Sequence, residues 1–178
     1  MFADAIDRYS RRIAIVHWLT VAAIAVTIPL ALAMTAAPIG ESKLAMYQAH
    51  AIIGDLVLIL VLLRIYYRIR DPRPLAADAG KAFFNGLAKA SHRLLYALLL
   101  LVPLSGIATL IASGMVEAFA SGLPSAIPPD LAEQPLGQLH GLLAWGLTAL
   151  VALHVMGALY HQFFLGDRLL RRMRLSRT

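Results

Sequence analysis

The chain reads as an all-α protein, a bundle of four transmembrane helices with both termini in the cytoplasm. Three observations predict this. Its 178 residues are 60% hydrophobic and only 15% charged, with a mean hydropathy of +0.71, whereas a soluble domain runs at about 45–50% apolar. Four apolar runs approach or exceed the ~20 residues that a membrane-spanning helix requires. Fifteen of the sixteen Lys and Arg residues fall in three segments that an even number of spans places on one side.

The elements follow in order. Span one is expected at about 13–34, ending before the turn-rich Ala36-Ala37-Pro38-Ile39-Gly40. It is too long for the apolar core of a cleavable signal and carries His17 and Trp18, so it reads as a retained span. Span two is expected at about 46–69. Its end, Arg64-Ile65-Tyr66-Tyr67-Arg68-Ile69-Arg70, mixes tyrosine with arginine as membrane interfaces do, and Asp71-Pro72 stops the helix. An amphipathic stretch, Asp78–Ser91, is expected along the surface before span three at about 94–113. There Pro103 predicts a kink and Gly106 a close approach. A loop holding much of the remaining Pro and Gly, 114–135, leads to span four at about 136–165. Residues 1–178 thus form a single membrane domain with no room for a soluble catalytic one.

The basic segments are the N-terminus (Arg8, Arg11, Arg12), the span two–three connection (Arg64 to Arg93) and the C-terminus (Arg168 to Arg177). The bias of cationic residues toward the cytoplasm puts these on the inner face. Lys43 is alone outside, and the outer loops are mildly acidic, with Glu41, Glu117, Asp130 and Glu133. A net charge of +6 distributed as flanks to apolar runs indicates a lipid bilayer as partner and no nucleic acid. The absence of cysteine excludes disulfides, iron–sulfur ligation and covalent heme attachment.

Histidines carry the chemistry. His140 and His154 lie fourteen residues apart in span four, which puts them on nearly one helix face and about 21 Å apart along the axis. Ionisable side chains inside a span are costly and mark function by default. Span directions give depths: His50 and His140 share the outer level, His17 and His154 the inner. Four imidazoles at two levels predict two hemes, one above the other, each iron held by two histidines. Such an iron has no open position and favours electron transfer over oxygen binding. His161, seven residues beyond His154, is an alternative inner ligand or a hydrogen-bond donor to a quinone. His92 reads as an interfacial histidine. Gly54, Gly141 and Gly157 read equally as room for a flat macrocycle or as ordinary helix packing. Arg8, Arg11, Arg12, Arg64 and Arg68 are candidates for heme propionates, with topology as their default role. Asp55, well inside span two, reads equally as facing a cavity, a proton route or a polar partner and as a carboxylate satisfied by a structural hydrogen bond. Trp18 and Trp145 need no functional explanation.

The segments Arg8-Tyr9-Ser10-Arg11, His17-Trp18-Leu19, Gln48-Ala49-His50-Ala51-Ile52-Ile53-Gly54 and Leu101-Val102-Pro103-Leu104-Ser105-Gly106, with His140, His154 and His161, resemble the bacterial cytochrome b561 family. The resemblance covers essentially the whole chain. It implies a multi-pass protein of the bacterial inner membrane with two non-covalent b hemes, and His17, His50, His140 and His154 as axial ligands to the heme iron. It also implies electron exchange between an outer donor and the quinone pool. One branch of the family oxidises superoxide and reduces ubiquinone, so a superoxide:ubiquinone oxidoreductase is one expectation. The alternatives are a cytochrome b subunit serving a redox partner protein, such as a larger dehydrogenase or hydrogenase, and a heme-free small membrane protein.

Overall fold

The structure is a computed structural model that describes residues 8–72, 74, 82–166 and 169–175. Among the described residues five α-helices follow one another: α1 (Arg11–Ala36), α2 (Glu41–Arg70), α3 (Ala82–Ala112), the short α4 (Met115–Ser121) and α5 (Pro135–Tyr160). The four long ones are each long and apolar enough to cross a membrane. The chain is therefore a multi-pass membrane protein. A single π-type turn, His161–Leu165, and a 3₁₀ turn, Leu169–Met173, close the C-terminal end.

Helix boundaries follow local chemistry. Ser10 caps α1, its hydroxyl accepting from the Ile13 N–H at 3.3 Å. The same hydroxyl donates to the Asp71 carboxylate, and Arg12 Nη2 reaches that carboxylate at 3.3 Å. Asp71 is buried at the end of α2, so the start of α1 and the end of α2 are tied together. α2 begins at Glu41, five residues before the expected start. Its first turn is polar, so hydropathy misses it, and Lys43 Nζ anchors it by donating to the Ala37 carbonyl at 2.7 Å. α3 begins at Ala82, so residues 82–91 continue the spanning helix instead of forming a separate surface segment. No proline interrupts residues 82–91, so the helix runs through them despite the weak helix formers Asn85 and Gly86. The rest of the expected amphipathic stretch, Asp78–Lys81, lies outside the described residues, as do Arg73, Arg168 and Arg177. Buried Thr20 donates back to the Val16 carbonyl at 2.7 Å, so its hydroxyl is satisfied within its own helix.

The helices pack as two pairs. α1 lies on α2, α3 lies on α5, and α2 against α3 joins them. The main core, Ala23, Val57, Val61, Leu95, Leu99 and Leu147, draws on all four long helices. Leu147 stands midway between His140 and His154, so this layer occupies the middle of the bundle. A second cluster, Leu44, Met115, Ala118 and Ile127, seats α4 and the following loop on the N-terminal end of α2. Gly114 and Gly122 bound α4 with φ of 81° and 69°, left-handed angles that turn the chain sharply at both ends.

Candidate functional site

Two groups of histidines stand at the two ends of the mid-bundle core. At one level, His50 of α2 faces His140 of α5, with ring centroids 6.1 Å apart and planes at 89°. His140 is held by α3. Its Nδ1 donates to the Val102 carbonyl at 3.1 Å and lies 3.0 Å from Ser105 Oγ, which itself donates to Val102 at 2.8 Å. A carbonyl only accepts, so the proton sits on Nδ1 and the Nε2 lone pair is left for another partner. Gly106 is the close approach expected in span three. A β-carbon there would lie 3.1 Å from His140 Cε1.

Gly106→Val is accordingly expected to force the His140 ring off its two α3 partners. Heme bound by the purified protein should fall, whereas Gly106→Ala, needing only a few tenths of an ångström, should retain it. Pyridine hemochrome quantification reads this directly.

At the other level, His154 of α5 packs against His92 of α3, with centroids 5.3 Å apart and planes at 74°. His17 of α1 stacks edge-on with Trp18 at 5.3 Å and lies within electrostatic range of His92, His154 and Arg64. His92 is thus a member of this cluster, not only an interfacial residue. Its position one residue before Arg93, at a sequence boundary, gave no sign of that. Arg64 reaches in from α2 with its guanidinium 5.4 Å from the Tyr96 ring centre, and Arg68 stands over the same ring at 5.5 Å. Arg64 Nε is buried without a hydrogen-bond partner, as are His17 Nδ1 and His50 Nδ1. Arg12, by contrast, is taken by Asp71.

These features fit two flat, iron-centred macrocycles. Two metal–imidazole bonds of roughly 2 Å, plus roughly 1 Å from each nitrogen to its ring centre, need centroids about 6 Å apart. The His50–His140 pair meets that requirement. Methyls placed on Gly54, Gly141 or Gly157 would meet nothing within 4 Å, so these glycines border open space and are not needed for helix contact. A buried guanidinium with a free N–H suits a propionate.

His161 sits at the start of the π-type turn with its ring 6.4 Å from that of Tyr160. A cavity of about 850 Å³ opens beside this turn, lined by Trp18, Gln162, Phe163, Leu170 and Arg171 among others. His161 is absent from the lining, but its neighbour Gln162 is part of it, and Gln162 Oε1 is buried without a partner. Trp18 Nε1 donates to the Met173 carbonyl at 2.9 Å, which holds the C-terminal turn over α1 and shapes the cavity. Neither Trp18 nor Gln162 was marked by sequence, because both roles depend on the chain returning across α1. Asp55 is exposed on the surface of α2.

Comparison with known proteins identifies the family. Residues 8–175 match the profile of the family described as prokaryotic cytochrome b561. The chain is 34% identical over 131 residues to a probable superoxide oxidase CybB of Yersinia pestis, covering 72% of this chain and 74% of that protein. It is 30% identical over 129 residues to cytochrome b561 homolog 2 of Escherichia coli K12, covering 71% and 69%. It is 28% identical to cytochrome b561 homolog 1 of the same strain over 170 residues, 94% and 97% of the two chains.

Proposed function

This chain belongs to the prokaryotic cytochrome b561 family of membrane electron-transfer proteins that carry b-type heme, and on that premise we propose that it passes electrons between an outer-face donor and ubiquinone through two hemes. His50 and His140 hold the outer heme; His17 and His154 hold the inner. Support for the first assignment is the 6.1 Å, near-perpendicular facing of His50 and His140, the observation that carries this reading. A heme held between two of these histidines would supply a one-electron iron couple. The rest is the chain's contribution. Val102 and Ser105 fix the His140 tautomer and ring plane. Arg64 offers positive charge to the inner level, which favours the reduced state there and anchors a propionate. Leu147 and its neighbours exclude water between the levels.

The quinone is assigned to the C-terminal cavity, where Gln162 Oε1 accepts a hydrogen bond from a quinol hydroxyl and His161, one residue away, exchanges the proton. The protein lies in the bacterial inner membrane with both termini cytoplasmic, following the distribution of basic residues, and residues 1–178 act as a single domain.

The outer donor is superoxide, by likeness to the relative named as a probable superoxide oxidase. The outer surface offers it little steering. Lys43 is the only outer cation, and its ammonium is engaged by the Ala37 carbonyl. Purified protein exposed to enzymatically generated superoxide should show rapid heme reduction, reversed by added ubiquinone. Hemes that stay oxidised under the flux would remove superoxide as donor and favour a protein donor.

A further inference from the structure

Asp55 occupies the middle of the 30-residue helix α2, so it sits near the centre of the bilayer, and its side chain is exposed on the outside of the bundle. No hydrogen bond or ion pair to it is seen among the described residues. A carboxylate facing hydrocarbon at that depth is strongly unfavourable, so a lone bundle is an incomplete structure at this point. Around it runs an exposed seam with alternating spacings of three and four: Ile52, Asp55, Ile59, Leu62, Tyr66 and Ile69. That is the 3.5-residue repeat by which two helices pack side by side, with one polar residue set among apolar ones.

We propose that the α2 seam is a homodimer interface and that its occupant is the same seam of a second copy. All copies insert with the same topology, so equivalent residues lie at equal depth. A two-fold axis along the membrane normal then brings Asp55 opposite Asp55 of the second copy, and Tyr66 opposite its equivalent. Two carboxyls at one depth satisfy each other by sharing a proton, one donating and one accepting, without any other group in the lipid. An unrelated partner would need its own donor at this height. The seam lies on the side of α2 away from the α3–α5 pair's histidines, so the interface does not depend on how the hemes are held.

The chain has no cysteine, which makes cross-linking clean. With the full-length protein in its native membrane, Ile59→Cys and Leu62→Cys should give a disulfide-linked dimer on mild oxidation, and Leu142→Cys on the exposed face of α5 should not. In liposomes, Asp55→Leu should raise the dimer dissociation constant about ten-fold, and Asp55→Asn, which keeps a donor and an acceptor, should restore most of the association. Heme content serves as the folding control and should be unchanged in each variant. Equal cross-linking at Leu142, a dimer indifferent to Asp55→Leu, or capture of a different polypeptide by the seam cysteines would each overturn the proposal.

Discussion

Replacing His50 with alanine is expected to remove one heme per chain and leave the other, with the remaining absorption band unshifted. The effect is large because the iron would lose one of two protein bonds while the opposite ligand, His140, stays fixed by Val102 and Ser105. The second heme survives because the apolar layer of Ala23, Val57 and Leu147 separates the levels and keeps the helices packed. His140→Ala should give the same loss. Hemochrome quantification and a reduced-minus-oxidised spectrum of each variant decide it. Loss of both hemes together would mean that the levels are not independent, and retention of both would sink the assignment of the outer pair.

The inner level yields the second large effect. His17→Ala and His154→Ala are each expected to lose the inner heme, taking content from two to one. His92→Ala and His161→Ala should keep two. The reasoning for His92 is metric. Its ring lies 5.3 Å from that of His154, closer than the roughly 6 Å that an iron between two imidazoles requires. Its fit is as a neighbour that positions the His154 ring. His161→Ala should instead slow reoxidation of the hemes by ubiquinone, because the residue directly precedes Gln162, which lines the cavity. Stopped-flow reoxidation with a short-chain quinone, set against unchanged heme content, separates the two roles.

The four spans were legible because each apolar run is long and the bilayer imposes a minimum length. The facing of His50 and His140 was legible for a related reason. Helix geometry converts residue separation into depth, and span direction then matches His50 with His140. What was hidden depends on contacts between distant segments. The start of α2 at Glu41 is polar in sequence and is fixed by Lys43 reaching back to Ala37. The extension of α3 to Ala82 opens on Ala82-Phe83-Phe84, but Asn85, Gly86 and Lys89 separate this short apolar group from the long apolar run. His92 looks like a boundary residue until α3 lies along α5 and brings it to His154. Asp55 was expected to meet a cavity, a proton route or a polar partner, or to be satisfied by a structural hydrogen bond; it is exposed on α2, because the rotation of a helix within the bundle is set by its contacts with the other helices.

The apolar layer in the middle of the bundle has an electrical consequence. On the proposed topology it is the dielectric across which most of the membrane voltage falls. Levels about 21 Å apart along α5 span roughly two thirds of a hydrocarbon core about 30 Å thick. Moving one electron between them therefore works against, or with, about 1.6 kcal/mol per 100 mV of potential, which is roughly fifteen-fold in their equilibrium. With the cytoplasm negative, inward electrons climb and outward electrons descend, so the energised state of the membrane itself sets how readily the outer level empties.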